Sequence, residues 1–284
     1  MFSFDLATRR VVRLPVALNS DYDYVSGAAV CDDDTYYAIY AEIETGAIGL
    51  ARVANVSTPA PLVRYLSAPS LLHGVWCDPR QPGQLLVVRS DPGDPQAVFH
   101  VARYDPSAQT SADIAPLPAA WAWSEDDAVF AFDPVGYRVW ASGPVTKGLF
   151  ENSGAIYAVD VGGNAAVATY ALGYEAGWLG YAHPTSTTTG FGYRQTDEGG
   201  DLRWASFTLR AGTVTHTDGA DVTATLWSAG QPLAACDDAV VAAALPSNNL
   251  TVADARTGET IWALALADLG VPAPNAGALV ALCG

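Results

Sequence analysis

No run of about 18 or more apolar residues occurs in the chain, so no segment reads as a membrane-spanning helix. Positive charge is scarce: 14 basic residues, with Lys147 the single lysine, stand against 30 acidic ones, for a formal net charge of −16. Binding nucleic acid needs a basic surface that displaces counterions, and an anionic membrane surface asks for the same, so both are disfavoured as partners. A cation, a basic protein or a neutral sugar suits this charge better, and self-repulsion also keeps such a chain soluble. Charge of either sign is thin at 15% of residues, against about a quarter in an average soluble protein. The familiar catalytic signatures are missing as well: there is no Gly-x-Ser-x-Gly elbow, no phosphate loop with its lysine, no His-Glu-x-x-His and no EF-hand loop. The opening Met1-Phe2-Ser3-Phe4-Asp5 lacks the basic-then-apolar order of a signal peptide. The chain is therefore expected to be intracellular or a mature form, with the cytoplasm preferred. The sequons at Asn55 and Asn249 do not decide the compartment.

What is present is apolar and repetitive. Half of the 284 residues are hydrophobic, and a chain of this size hides roughly three quarters of its unfolded surface. No Ser/Gly-rich or Pro-rich linker interrupts it, so residues 1–284 read as a single domain. A short apolar strand ending in an acidic turn recurs with a period near fifty residues. The copies are Ala28–Asp32, Gly74–Pro79, Val129–Pro134, Gly180–Pro184, Leu233–Asp237 and Leu279–Gly284. A rival third copy at Ser124-Glu125 is rejected because it leaves Asp133-Pro134 and the following strand without a role. Hairpins alternate with these strands: Phe2 to Leu14, Ile48 to Tyr65, Val98 to Leu117, Ile156 to Leu172, Leu202 to Thr217 and Leu250 to Leu264. In the last, Asp254 is expected to start the turn and Gly258 to take its left-handed position, with Trp262 packed between sheets.

Strand-and-turn repeats of this length predict an all-β, six-bladed β-propeller. The chain opens with a hairpin and closes with an inner strand, so both termini are expected to share the last blade and latch the ring, which removes exposed edges. That blade has no sequence candidate for its second strand. It is three-stranded, lacks residues of this chain, or takes a strand from another chain.

The stretch Asp133-Pro134-Val135-Gly136-Tyr137-Arg138-Val139-Trp140 resembles the repeats of six-bladed propellers of the NHL, YWTD and YVTN kinds. The hairpin Asp254 to Trp262 resembles the tryptophan-docking repeat of PQQ-like propellers. The resemblance implies a fold rather than a substrate, because propellers host lectins, lactonases, scaffolds and receptors.

The repeat puts Cys31, Cys77, Cys236 and Cys283 in one column, with Phe132 and Ala182 in the remaining blades. Crowded inner strands favour cysteine as a small buried hydrophobe, so inert free thiols are expected; disulfides between neighbouring blades and a soft metal are the alternatives. The next column, Asp32, Asp78, Asp133, His183 and Asp237, forms a largely acidic ring that suits a hard cation, although Asp and Asp-Pro are also ordinary turn starters and that role is preferred.

The opposite face carries aromatic rings interleaved with carboxylates. Tyr22, Tyr24, Trp121, Trp123, Tyr174, Trp178 and Trp227 are the candidate ligand-binding residues, and Asp23, Glu125, Asp127 and Glu175 the candidate metal ligands, with the acidic loops at Asp91 to Asp94 and Asp197 to Asp201 on the same side. Stacking faces beside acceptors suit sugars, amines or cation-bearing ligands. Of the scattered histidines, His73 is the best lone candidate for acid/base work, though a satisfied structural histidine is the preferred reading. The leading expectation is a non-enzymatic module that binds a protein or a glycan. A Ca²⁺-dependent hydrolase of the lactonase type is the alternative, with no catalytic residue assigned, and a structural subunit or oligomer is the third reading.

Overall fold

The computed structural model describes residues 2–5, 10–13, 22–32, 34–42, 48–55, 58, 62–66, 71–91, 98–117, 129–134, 136–146, 152–162, 167–173, 180–182, 189–195, 202–210, 213–221, 231–236, 239–244, 249–254 and 259–265. These are strands and turns, with no helix among them. A hairpin of β1 (Phe2–Asp5) and β2 (Arg10–Arg13) comes first. Antiparallel meanders follow: β3 (Tyr22–Asp32), β4 (Thr35–Glu42), β5 (Ile48–Ala54) and β6 (Leu62–Leu66), then β7 (Leu71–Cys77), β8 (Leu85–Ser90), β9 (Phe99–Asp105) and β10 (Thr110–Pro116). The third runs through β11 (Val129–Asp133), β12 (Arg138–Thr146), β13 (Asn152–Asp160) and β14 (Val167–Gly173). A fourth comprises β15 (Gly180–Ala182), β16 (Thr189–Gln195), β17 (Leu202–Arg210) and β18 (Thr213–Asp221), and a fifth β19 (Gln231–Cys236), β20 (Ala239–Ala244), β21 (Asn249–Asp254) and β22 (Thr260–Ala265). One parallel bridge, Thr169 to Thr213, joins the third and fourth.

The first strand of each meander falls on a copy of the sequence repeat, and each outer pair on a hairpin read from sequence. The third copy opens at Val129, on the preferred alignment. The sixth copy, 279–284, and the turn at 255–258 lie outside the described residues. Trp262 sits on β22 opposite Val252 and is half-buried.

Inner strands are neighbours in chain order: β3 lies against β7, β7 against β11, β11 against β15 and β15 against β19. Side chains then sort by strand parity, since successive residues point to opposite faces. In β8, Leu85 and Val87 meet Tyr37, Ile39, Leu50 and Leu66 of the first sheet. Leu86 and Val88 meet Phe132, Val139, Tyr157 and Val159 of the third. All four β8 residues are buried, which is why Leu85-Leu86-Val87-Val88 reads as a continuous apolar run rather than an alternating one. The first sheet is also covered on its other side, where Tyr36, Ala38, Ala51 and Val53 are buried; burial pushes the Tyr36 phenol up to about 12.

Asp-Pro turns join successive strands within the second and third sheets. The carboxylates of Asp78, Asp105 and Asp133 each accept backbone N–H groups two or three residues on. Each turn returns through a left-handed residue, Gly83 (φ 86°), Gln109 (φ 54°) and Tyr137 (φ 51°). Tyr137 has no glycine's licence for that conformation, and its hydroxyl is held from the neighbouring sheet, donating to Asp78 at 2.8 Å. Arg103 donates to the same carboxylate at 3.0 Å, and the Arg80 guanidinium stacks 3.8 Å from the Tyr137 ring centre. Next door, Asp133 and Arg138 form a buried ion pair at 3.0 Å, and a Cβ on Gly136 would collide with both partners.

The cysteine expectation is corrected for two residues. Cys31 and Cys77 are joined in a disulfide with 5.2 Å between Cα atoms. Neighbouring inner strands bring the two thiols within bonding distance, where a sequence separation of 46 residues gave no local sign of pairing. Cys283 and the side chain of Cys236 lie outside the described residues.

Tyr137→Phe is expected to cost about 1.5–3 kcal/mol, the scale of a hydrogen bond to a buried charge, read as a lower urea midpoint. Replacing Cys31 and Cys77 together with serine is expected to cost about 2–4 kcal/mol through release of the unfolded chain, read in the same assay.

Candidate functional site

The pairs Cys31–Cys77, His73–Phe130 and Trp76–Phe132 set β3, β7 and β11 side by side in one direction, so this part of the assembly has two distinct ends. Cys31 bonded to Cys77 and Tyr137 bonded to Asp78 mark the turn end. The His73 ring, 6.3 Å from Phe130, marks the other, where chain segments enter the inner strands.

At the turn end, the acidic ring is committed to the fold at two of its positions. Asp78 is shielded by Tyr137, Arg103 and two backbone amides. Burial, with the neighbouring Asp78 charge, raises the Tyr137 phenol, so it stays a donor. Asp133 is held by Arg138 and the Gly136 amide. Asp32 is exposed and accepts the Asp34 amide at 2.9 Å. His183 and Asp237 lie outside the described residues. Among the described residues, no group of three or more His, Cys, Asp or Glu is placed to hold a metal.

At the entry end, Tyr22, Asp23 and Tyr24 open β3. The ladder pairs Tyr22 with Glu42 and Tyr24 with Ala41, and a bulge leaves Asp23 out of register. Trp121, Trp123, Glu125, Asp127, Tyr174, Glu175, Trp178 and Trp227 lie outside the described residues, as do the acidic loops 92–94 and 197–201.

His73 sits at a second bulge, between Leu72 and Gly74 of β7. Its Nε2 is 2.7 Å from the Ser90 hydroxyl oxygen, and its ring stands edge-on to Phe99 at 4.8 Å. Burial pulls the imidazole down to about 4 from 6.5, so it is neutral at pH 7. A serine beside a histidine is the start of a nucleophilic pair, but Ser90 is fully buried, and a substrate atom has no approach to it. The pair satisfies a buried hydroxyl, in keeping with the structural reading of His73.

Sequence reading missed a small ionic cluster at this end. Arg89 donates to both oxygens of Asp113, at 3.0 and 2.7 Å, and to Asp91 at 2.6 Å. Nδ1 of His100 lies 3.3 Å from the same Asp113 carboxylate. Desolvation alone would lower the Arg89 guanidinium, but the bonds and charges of Asp113 and Asp91 outweigh it and raise it. Arg89 and Asp113 are 24 residues apart, and only the sheet register brings them together. No motif signals the pair.

His73 makes a pH prediction. Below about 6.5 the unfolded imidazole takes up a proton, while the folded one resists until about 4. Acidification through that window therefore removes stability, by less than about 1.4 kcal/mol per pH unit because the ring keeps some solvent contact. Urea midpoints at pH 7 and pH 5 should show a smaller acid loss in His73→Gln than in the parent; equal losses would refute the assignment.

No protein-family model matches the sequence, and no curated protein matches it. Among solved structures, the chain is similar to one of a nidogen/laminin complex, with a TM-score of 0.53 at 10% identity over 84% of this chain and 79% of that one. It is also similar to a GH93 α-L-arabinofuranosidase of Fusarium graminearum in complex with arabinobiose, with a TM-score of 0.48 at 9% identity over 85% of this chain and 81% of that one. The acylaminoacyl peptidase of Pyrococcus horikoshii gives a TM-score of 0.48 at 7% identity over 84% of this chain and 38% of that one. The chain thus spans well under half the length of the peptidase. The likeness to the nidogen structure shows the β-propeller fold.

Proposed function

We propose that this chain is a six-bladed β-propeller acting as a non-enzymatic binding module, whose entry end engages a protein or glycan partner. The observation that carries this reading is the asymmetry of the two ends. At the turn end Asp78 and Asp133 are bound up in the fold. The inner strands β3, β7, β11, β15 and β19 lie against one another in chain order, and on this reading the segments that precede them share one surface. Those segments carry Trp121, Trp123, Tyr174, Trp178 and Trp227, beside Tyr22 and Tyr24 on β3. Aromatic faces beside carboxylates recognise sugars, amines and basic peptides, and a rigid scaffold beneath loops is the usual seat of recognition.

Six blades are supported by burial on the outer side of the first sheet, at Tyr36, Ala38, Ala51 and Val53, where a closing blade would sit. The nidogen structure is that of a complex between proteins, in keeping with a protein partner. The Cys31–Cys77 disulfide supports residence in an oxidising compartment.

Trp121→Ala with Trp123→Ala should leave the melting temperature unchanged and abolish capture on glycan arrays or by a cross-linked partner; unfolding instead would make those rings core. A thermal melt with Ca²⁺ against an EDTA-treated control should show no shift. A saturable rise, as mass action requires of a native-state ligand, would overturn this reading in favour of a Ca²⁺-dependent hydrolase using Asp23, Glu125, Asp127 and Glu175.

A further inference from the structure

We propose that the outer edge of β6 takes an extended, acidic segment of a protein partner as an added strand, with a carboxylate of that segment facing Arg64. This surface is the rim of the first sheet rather than its entry end, so it stands or falls independently of the loop face. β6 is the last strand of its sheet and is bonded to β5 on one side; among the described residues no strand pairs with its other side. Four of its five residues are exposed. Leu62, 63% exposed, lies on one face of the strand, and Val63 and Tyr65, at 36% and 41%, lie on the other. Sheet edges are ordinarily blunted against such pairing, and β10 shows how. Its exposed Thr110, Ser111, Ala112 and Asp113 are small or polar, a bulge separates Asp113 from Ala115, and Pro116 ends the strand. β6 keeps its register with β5 unbroken from Leu62 to Leu66 and presents a regular edge with apolar side chains.

Charge selects the partner. Arg64 stands directly opposite Arg52 of β5, and like charges so placed cost stability. The chain has 30 acidic residues against 14 basic ones, and Arg89, Arg103 and Arg138 each hold an aspartate. Among the described residues neither Arg52 nor Arg64 has an acidic partner. A carboxylate on an added strand, opposite Arg64 at the cross-strand spacing of about 5 Å, relieves the repulsion. At that contact the local pair governs, because salt screens the more distant acidic charges over about 10 Å. A second copy of this chain does not serve: β6 paired antiparallel with itself in full register sets Arg64 against Arg64 and lengthens the row of arginines. A single edge arginine is a known bar to self-pairing, but Arg52 behind it is not needed for that. In strand addition main-chain bonds supply affinity and alternate side chains supply selectivity, so the partner segment is extended, with apolar residues flanking its acid.

An array of short synthetic peptides, probed with the folded full chain, tests the edge. Each peptide alternates valine and threonine around a central glutamate, glutamine or lysine. A copy of each, N-methylated at alternate amides, keeps the side chains but cannot complete the ladder. The protein is expected to bind the glutamate peptides, to bind the glutamine peptides more weakly, and to bind neither the lysine nor the N-methylated sets. Arg64→Gln is expected to weaken glutamate-peptide binding about fivefold, the upper end for a cross-strand charge pair. Without peptide, the same variant should show a higher urea midpoint, because the like-charge pair is gone; an arginine serving only the fold would lower it. Equal binding of the three charge sets, binding that survives N-methylation, no binding to any peptide, or a lower midpoint in Arg64→Gln would overturn the inference. A concentration-dependent dimer in sedimentation that Leu62→Lys dissolves would overturn it too, by giving the edge to a second copy.

Discussion

Burial of the second sheet between the first and the third is the constraint on which the described core depends. The β8 run Leu85-Leu86-Val87-Val88 shows it most plainly, because odd positions serve one neighbour and even positions the next. Such a sheet cannot be stable alone: either face, left bare, exposes apolar surface worth about 25 cal/mol per Å². The first sheet is likewise buried on its outer side, at Tyr36, Ala38, Ala51 and Val53.

Polar groups make this stacking specific. Packing of Leu, Val and Ala across a sheet interface tolerates sliding, but the hydroxyl of Tyr137 must find Asp78 on the next sheet. Arg103 meets the same carboxylate from β9. A buried carboxylate without partners is costly, so one register of the two sheets is strongly preferred to its neighbours. The disulfide at the same end adds a covalent tie between the first and second inner strands. Together these contacts tie neighbouring sheets to one another at the turn end.

Much of the architecture was legible because it depends on short-range pattern. The repeated apolar strand and its turn, acidic in four copies and His183-Pro184 in the fourth, identified five inner strands, and the strand–turn–strand pattern identified six hairpins, at their observed places. The candidate ligand-binding and metal residues came from aromatic and acidic composition, which says which chemistry is available but not where it sits; apart from Tyr22, Asp23 and Tyr24 on β3 they lie outside the described residues. Cysteine pairing was misjudged for the same reason: burial preference is a property of one residue, whereas a disulfide depends on two strands 46 residues apart.

The sequence by itself determined that the chain is all-β, repetitive and acidic, because strand periodicity, turn chemistry and net charge are written in consecutive residues. Only the tertiary structure decided that Tyr137 is a clamp rather than a turn residue, that His73 is a neutral partner of a buried serine, and that Arg89 is held by Asp113. Each of those roles belongs to a pair or cluster across strands or sheets, and no single stretch of sequence contains both members.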